Sequence, residues 1–525
     1  MSRPAVSNWQ RRYPDFPCAV SRTDEDVELF PEAEVQAWLD RRAVPANARL
    51  AGEGAGATYG DRFRPRDAGA EFVAAVRTLT GDPQSFGDRM PHHDYLLLLM
   101  ALVHLRRLRP EVWREGEHEQ EHLADTVRCV LQEEGLSHLS ELLARALDTC
   151  SPRTLTGIAV ALGAGSPEAP CATGTEAGAE AFDLLLAAYG ETASGTAGEL
   201  PTPPAVARAV AGMLMSEPPA PGSPSLRLHD PYCRAGEMLA ASVDVAQTFA
   251  GAPAAVSVSG TGGDALHGEL ARMNVGQRGL PADLRHEPGT GPGGNGSGPG
   301  EGFDRVVTNP PFNVRTPGAA RRFAPYWRYG DPPAHNANYG WLQYVVGSLS
   351  AQGRACVVMP TNAASSAHSG EQRIRRAMIE DGAVEGLVAL PPHLFAATSV
   401  AVTVWLLKHP TGSCQDVFFV DATRLGSMVS RTRRVLSAED TDLLVGVTRS
   451  RTVREGFSRT VGIDEIRTNG HSLSATAYLT TRATGGARTA TEGRIRELTG
   501  RLTDLGDLAR RTDRHIEDLF KEYGL

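Results

Sequence analysis

The sequence predicts an α/β fold: a doubly wound, mostly parallel sheet, with a helical region before it and a further helix at the C-terminus. Two observations support this prediction. Short apolar runs of the kind that form buried strands lie at 305–307, 355–359, 384–390 and 400–407. Helical patterns separate these runs, and strands that alternate with helices usually pair in parallel. We therefore expect one sheet with helices on both faces.

The composition is that of a globular protein. The chain has 525 residues, of which 41% are apolar and 22% charged, and its formal net charge is −9. At about 150 residues per domain, this length allows about three or four folded units. The acidic sum argues against a protein that coats nucleic acid without sequence preference, but it leaves room for a local basic site.

The cysteine pattern and the hydropathy predict a cytoplasmic protein without a membrane partner. The seven cysteines are scattered and never spaced as Cys-x-x-Cys, which favours a reducing compartment and no metal site. No apolar leader opens the sequence. The longest apolar run, 95–103, is too short to cross a bilayer.

Changes in composition along the chain predict five segments. A Gly/Pro-rich stretch near 162–176 separates a helical region from the α/β region, and the low-complexity insert at 287–302 predicts a surface loop. The predicted segments are a helix-turn-helix-like DNA-binding segment at 1–48, a helical domain at 65–160, the α/β domain at 176–425, a C-terminal extension at 426–485 and a heptad helix at 490–525.

The two ends of the chain carry separate predictions. Helical patterns at 4–12 and 29–39 enclose a turn and resemble a winged helix-turn-helix entered at its recognition helix. The side chains expected to face DNA are those of Ser7, Asn8, Arg11 and Arg12. The alternative is a capping helix whose Trp9 and Trp38 are core residues. At the other end, apolar or small residues recur in steps of three and four from 495 to 523, so that helix packs on its own chain or pairs with a partner such as a second copy.

The sharpest chemical signal follows a predicted strand, which ends directly in Asn309-Pro310-Pro311-Phe312. A turn at the carboxyl end of a parallel strand lies over the ligand crevice. Since prolines lack N–H donors, the Asn309 side-chain oxygen and the Pro310 carbonyl can accept from an exocyclic amino group. Phe312 can stack on the same base. These residues predict a pocket for a flipped adenine.

With its companion motifs, this turn resembles that of the adenine-N6 DNA methyltransferases, closest to the modification subunit of type I restriction systems. The resemblance covers roughly 180–480 and includes 327–333, 336–343, 390–395 and 469–473 with Tyr478. It implies a Rossmann-like methyltransferase domain at 176–425 and catalysis by Asn309, Pro310, Pro311 and Phe312. It also implies S-adenosylmethionine as methyl donor, double-stranded DNA as substrate and a separate specificity subunit, in a restriction–modification or phage-defence context.

The same resemblance implies where the methyl donor binds. The segment Gly198–Pro203 matches the family's G-x-[FY]-x-T-P element, although Thr202 could also act as a helix N-cap, and 230–236 stands at the family's DPxCGSG loop. The residues expected to bind the cofactor are Thr202, Asp230, Cys233, Gly236 and Asp264. Asp264 is included as the nearest acid, because Gly262 stands where the family has the carboxylate that binds the ribose hydroxyls.

Two departures from the family pattern leave other functions open. Arg234 replaces a small residue in the cofactor loop, and Gly262 replaces the ribose-binding acid. They favour the alternative of a catalytically degenerate, methylase-fold DNA-binding protein. Methylation of a glutamine amide, a reaction of Asn-Pro-Pro-Tyr enzymes, is a third hypothesis; Phe312 and the companion motifs disfavour it.

A basic run surrounds the Asn-Pro-Pro-Phe turn. Five arginines and no acid lie between 305 and 328, at 305, 315, 321, 322 and 328. Arginines beside a base pocket can neutralise DNA phosphates, so Arg315, Arg321 and Arg322 are expected to contact DNA.

Overall fold

The structure is a computed structural model. It describes residues 9–19, 21–22, 28–44, 58–60, 68–81, 90–115, 123–163, 175–192, 202–215, 225–248, 256–286, 302–315, 327–395 and 399–479. The predicted residues and segments outside these ranges include Ser7, Asn8, Arg321, Arg322, residues 198–201 of the Gly198–Pro203 element, most of the insert at 287–302 and the heptad helix at 490–525.

The chain divides into two compact units, Met1–Leu185 and Leu186–Leu525. In the first, a short hairpin of β1 (Ser21–Arg22) and β2 (Glu28–Leu29) precedes a series of helices. These are α1 (Glu32–Asp40), α2 (Ala68–Gly81), α3 (His92–Leu108), α4 (Pro110–Glu115), α5 (Leu123–Glu133), α6 (Ser137–Thr149) and α7 (Pro152–Ala161). Helix α8 (Thr175–Thr192) contains the division between the units.

Burial explains the helices of the first unit. Helix α3 is buried on all sides from Tyr95 to Arg106, as its unbroken apolar run requires. Helix α7 starts where the Ser151 hydroxyl accepts from the Thr154 N–H at 3.0 Å, with Pro152 in its first turn.

The N-terminal segment contains an aromatic cluster. The rings of Trp9 and Phe16 pack on Trp38, with centroids 5.7 and 4.9 Å from it. Trp38 is buried, whereas Arg11 and Arg12 lie exposed on the short helix at 9–12. Trp38 is therefore a core residue, and DNA binding by this segment stays a prediction.

The second unit is built around a nine-stranded sheet with helices on both faces. Its first half comprises α9 (Pro204–Leu214), β3 (Leu226–Asp230), α10 (Glu237–Gln247), β4 (Val256–Gly262), α11 (Ala265–Gln277), β5 (Ala282–His286) and β6 (Phe303–Thr308). Next come α12 (Asn338–Ser348), β7 (Leu349–Pro360), a 3₁₀ turn (Thr361–Ser365), α13 (Ser369–Glu380), β8 (Val384–Ala389), β9 (Val402–Lys408) and β10 (Asp416–Asp421). The unit ends with the hairpin β11 (Ser427–Met428) and β12 (Arg434–Val435), followed by α14 (Ala438–Ser450), β13 (Ser458–Gly462), α15 (Ile463–Thr468) and α16 (Ala475–Leu479).

The strand order is β13-β10-β8-β9-β7-β6-β3-β4-β5. Strand β9 runs antiparallel between β7 and β8, and β13 runs antiparallel to β10, while the other neighbours are parallel. The predicted doubly wound, mostly parallel sheet is confirmed, and the four apolar runs lie in β6, β7, β8 and β9. The antiparallel directions of β9 and β13 were not foreseen.

Consecutive strand residues face opposite layers of the core. Val306 and Phe419 pack with α12 and α13, whereas Val307 and Phe418 pack with α9 and α10. This two-sided burial accounts for the nearly unbroken apolar strands. Within the described ranges, the helices lack the length and apolarity needed to span a bilayer.

The chain changes direction between β3 and β6. From β3 it proceeds outward to β4 and β5, and β6 then returns to pair in parallel with the other side of β3, His229 opposite Val306. Loops that leave two such strands in opposite directions open a crevice at their carboxyl ends. The residues that end these strands, Asp230 and Thr308, therefore border the expected ligand site.

Candidate functional site

The Asn309 side chain is held by Thr202. The Asn309 Nδ2 donates to the Thr202 hydroxyl at 2.9 Å, and both residues are 2% exposed. The Asn309 Oδ1 is buried and has no hydrogen-bond partner among the described residues. A buried acceptor without a partner is costly, so this oxygen can accept from a donor that none of the described residues supplies.

Thr202 does not cap the helix that follows it. Helix α9 begins at Pro204 with Pro203 at the N-cap position, and no side chain caps it. The prediction of Thr202 as N-cap was wrong, because its hydroxyl is engaged by Asn309 instead.

The other residues of the Asn309–Phe312 turn are two buried prolines and a partly exposed phenyl ring. Pro310 and Pro311 are buried, whereas Phe312 is half-buried and packs on the core layer that contains Val307 and Phe395. One part of the Phe312 ring therefore remains available for stacking beside the free Asn309 oxygen.

The companion motifs support this turn. Asn313, which has a left-handed φ of 55°, donates its N–H to the Asn338 Oδ1 at 3.0 Å, and the Asn338 Nδ2 donates back to the Asn313 Oδ1 at 3.0 Å. On the same helix, Gln343 accepts from the Tyr329 N–H and donates to the Gly330 carbonyl, both at 2.9 Å. Helix α12 thus fixes the chain after Phe312 and the loop at 327–333.

The second wall of the crevice is the loop from β3 to α10. Asp230 ends β3, is 1% exposed and accepts from the Tyr232 N–H at 2.9 Å. Burial raises the pKa of Asp230 to about 7, because the charged form is poorly solvated there. The Cys233 N–H donates to the Thr261 carbonyl at 2.9 Å, which ties the loop to β4, and the Cys233 side chain packs in the core.

Gly236 permits the tight turn into α10. Its φ is 77°, and a Cβ atom there would lie 3.0 Å from the Cα of Ala271 on α11. Close packing of the loop on α11 therefore requires glycine.

The departure at Arg234 also lies in this loop. Arg234 has a φ of 41°, is 4% exposed and lies over the Tyr232 ring, with its Cζ 5.7 Å from the centroid. Glu237 follows in the first turn of α10, where burial raises its pKa and the positive charge of Arg234 lowers it. The Glu237 Oε1 is buried without a hydrogen-bond partner among the described residues.

Asp264 lies just beyond β4. Its carboxylate caps α11 by accepting from the His267 N–H at 2.8 Å and also meets the His267 ring, yet it remains half-exposed. At Gly262 a Cβ would meet the Cα of Gly268 at 3.2 Å, so a larger residue there would have to displace α11. Asp264, two positions beyond the end of β4, therefore retains carboxylate surface that can accept from a hydroxyl.

The donor set around this loop fits S-adenosylmethionine. The buried, unpartnered oxygen of Glu237 can accept from an ammonium group, and the half-exposed carboxylate of Asp264 can accept from ribose hydroxyls. No group of three or more metal-binding side chains occurs in the described part of the chain.

The arginines of the basic run lie in different environments. Arg315 is exposed just after the turn. Arg305, in contrast, is 6% exposed within β6, and Arg328 donates to the Asp381 carboxylate at 2.7 Å. The inclusion of Arg305 in a DNA-facing run was wrong, because alternate residues of a central strand point into the core layers.

The late motif at 469–473 is an anchored segment. Its His471 donates to the Glu380 carboxylate at 2.8 Å, Arg467 donates to the same carboxylate at 3.0 and 2.7 Å, and Arg375 donates to the His471 carbonyl at 2.8 Å. These bonds tie the segment to α13 and lower the pKa of Glu380 to about 2.

The sequence did not reveal two features of the site. One is the Thr202–Asn309 bond, which joins residues 107 positions apart. The other is Glu237, for which the available signal was an acid directly after the glycine of the cofactor loop. An acid at that position indicates a ligand contact only once the Glu237 Oε1 is known to be buried without a partner.

Comparisons with known proteins show the family of the chain. The family model for the N-6 DNA methylases matches residues 175–486. The type I restriction enzyme HindI methylase subunit of Haemophilus influenzae is 26% identical over 310 residues, covering 57% of this chain and 68% of that protein. The MjaIX methylase subunit of Methanocaldococcus jannaschii is 30% identical over 269 residues, 48% of each chain.

A solved structure shares the fold. The type I restriction-modification methyltransferase subunit from Streptococcus thermophilus superposes with a TM-score of 0.60 at 19% identity, covering 79% of this chain and 100% of that one.

Proposed function

The chain belongs to the N-6 DNA methylase family, so its reaction is the methylation of adenine at N6 in DNA, and we propose that the Thr202–Asn309 pair holds the target base. One observation carries the proposal: the Asn309 Oδ1 is buried and unpartnered, while its Nδ2 is already engaged. The free end of the amide is therefore an acceptor, and an exocyclic amino group is the donor that fits it.

The mechanism needs little proton chemistry from the protein. The Asn309 oxygen accepts one N6 hydrogen and draws the nitrogen lone pair away from the ring toward the incoming methyl group. Phe312 stacks on the extruded base. S-adenosylmethionine, when bound, would supply the methyl group from its sulfonium, with the neutral thioether S-adenosylhomocysteine as leaving group. The N6 proton that the methyl group replaces would pass to water, so Asn309 only has to accept a hydrogen bond.

The methyl donor lies on the β3 side of the crevice in this proposal. Asp230, Gly236 and the backbone at Cys233 would shape the loop that holds it, Asp264 would accept from the ribose hydroxyls, and Thr202, whose hydroxyl holds Asn309, would line the same site. Asn309 and the loop after β3 lie at the carboxyl ends of neighbouring strands, about 5 Å apart in a sheet. Donor and acceptor can therefore meet within one crevice.

Double-stranded DNA is the proposed substrate. Its phosphates would be held by Arg315, Arg321 and Arg322, and its major groove would be faced by Ser7, Asn8, Arg11 and Arg12. The named relatives are methylase subunits of type I restriction enzymes, and we propose a separate specificity subunit and a restriction–modification role here as well. Pairing of two copies through 490–525 remains a hypothesis. The catalytically degenerate alternative is not favoured, since the relatives are methylase subunits and the acceptor at Asn309 is intact.

Methyl transfer in solution tests the proposal. The protein, purified from its source together with the specificity subunit that accompanies it, is incubated with labelled S-adenosylmethionine and genomic DNA of low methylation. The nucleosides of the digested DNA are then identified by chromatography and mass spectrometry. We expect label in N6-methyldeoxyadenosine for the wild type and none for Asn309→Ala. Label in another nucleoside, or equal label with the variant, would contradict the assignment.

A further inference from the structure

We propose that Arg234 and Glu237 bind the amino-acid end of the methyl donor, with Arg234 on its carboxylate and Glu237 on its ammonium group. The inference rests on the proposed function. It gives a role to the residue that departs most from the family pattern.

Arg234 occupies a strained and desolvated position. A left-handed φ of 41° suits glycine and strains an arginine. Its guanidinium is also largely removed from water, since the residue is 4% exposed. Strained residues cluster at ligand-binding and active sites, so the conformation of Arg234 indicates a functional position in the crevice.

Two carboxyl groups of this loop lie near Arg234. Burial raises the pKa of Asp230 and of Glu237, and the positive charge of Arg234 acts in the opposite direction on both. One oxygen of Glu237 is buried and has no hydrogen-bond donor among the described residues. A cationic donor would satisfy this oxygen and favour the charged form of Glu237.

The methionine moiety of S-adenosylmethionine has the matching chemistry. It is a zwitterion, whose carboxylate suits the two-pronged guanidinium and whose ammonium suits a carboxylate. Arg234 and Glu237 are three positions apart across the turn into α10, and the charge of Arg234 lowers the pKa of Glu237. The two side chains are therefore near enough to bind the carboxylate and the ammonium group of one α-carbon. The first turn of α10 adds backbone N–H groups that favour the carboxylate.

The pair is also coupled to the base acceptor. The Thr202 N–H lies close enough to Glu237 to lower its pKa, and the Thr202 hydroxyl holds Asn309. An amino acid bound at this loop would therefore direct the sulfonium end of the donor toward the target amino group.

Two ligands that differ only in the amino-acid end provide the test. S-adenosylhomocysteine carries it, and 5′-methylthioadenosine lacks it while retaining the adenosine and the sulfur. Calorimetry on the full chain gives both affinities for the wild type, Arg234→Gly, Arg234→Lys and Glu237→Gln. Arg451→Gly is the matched control, because Arg451 is also left-handed, with a φ of 48°, and lies at the C-terminal cap of α14.

We expect Arg234→Gly and Glu237→Gln each to weaken S-adenosylhomocysteine by about tenfold or more, the effect of one lost charged hydrogen bond. Binding of 5′-methylthioadenosine should change by less than about twofold, Arg234→Lys should be intermediate, and Arg451→Gly should bind both ligands like the wild type. Equal losses for the two ligands would show structural damage and overturn the inference. Unchanged S-adenosylhomocysteine binding would overturn it as well. If the wild type binds neither ligand, the proposed function itself fails.

Discussion

The Asn309 amide donates through Nδ2 to the hydroxyl of Thr202 at 2.9 Å, with both side chains buried. An amide that could rotate by half a turn would present a donor as often as an acceptor to the base. The bond to Thr202 fixes the oxygen toward the crevice, so Thr202 acts as a positioning residue for Asn309.

Thr202→Val should therefore impair catalysis while Thr202→Ser does not. Valine has the shape of threonine but no acceptor, so the Asn309 amide is freed and Nδ2 is left buried and unpaired. We expect kcat to fall roughly tenfold or more, the effect of one buried hydrogen bond. Steady-state kinetics should show little change in the KM for the methyl donor. A loss confined to that KM, or equal losses in both variants, would instead favour a direct cofactor role for Thr202.

Phe312→Ala should weaken methylation more than Phe312→Tyr. Base stacking on an aromatic ring is worth about 1–3 kcal/mol, so alanine should lower kcat/KM for DNA by roughly five- to a hundredfold, and tyrosine retains the ring. Thermal melts serve as the control, because Phe312 also packs on the core. Similar kinetics for the two variants would argue that Phe312 only fills space.

The stability of Asp230→Asn should depend on pH in a defined direction. Burial raises the pKa of Asp230 from 3.8 to about 7 in the folded state, so the folded protein loses stability as pH rises between those values. Asparagine has no charge to bury. The variant should match the wild type near pH 4 and become more stable relative to it as pH rises through 7, as measured by denaturant unfolding. If the free energies of unfolding of the two proteins change with pH in parallel, the raised pKa of Asp230 is contradicted.

Glu380→Gln should show the opposite dependence. Hydrogen bonds from Arg467 and His471 lower the pKa of Glu380 from 4.5 to about 2, so its contribution is present above the unfolded value and is lost as pH falls toward the folded one. The glutamine variant should melt at a lower temperature at neutral pH, and the difference should shrink in acid. A difference that stays constant down to the acid limit would show that the interaction with Glu380 is not ionic.

Arg315→Ala should reduce DNA affinity without changing sequence preference. Each phosphate contact contributes about one unit to the slope of log affinity against log salt, so the slope should fall by about one. Arg328→Ala is the matched control from the same run, since Arg328 already pairs with Asp381. If the control loses as much slope as Arg315→Ala, a specific contact at Arg315 is excluded.

The sequence predicted the sheet because two-sided burial leaves a local signature. Strands such as β7 and β8 are apolar on both faces, and the Asn-Pro-Pro-Phe turn follows its strand directly, so spacing alone located the base acceptor. Arg305 was misjudged because a charge on a central strand gives no sign of its burial. The Thr202–Asn309 bond is a tertiary contact, and no local pattern encodes the distance between 202 and 309.

Sequencing of DNA from living cells tests the central claim most directly. In the source organism, the native gene is replaced by a copy that encodes Asn309→Ala or, as the control, by a copy with a silent change at the same codon. Single-molecule sequencing then maps N6-methyladenine across both genomes. The account predicts a sequence motif that is methylated with the wild type and unmethylated with Asn309→Ala. If the methylation maps of the two strains are the same, Asn309 does not hold the target base.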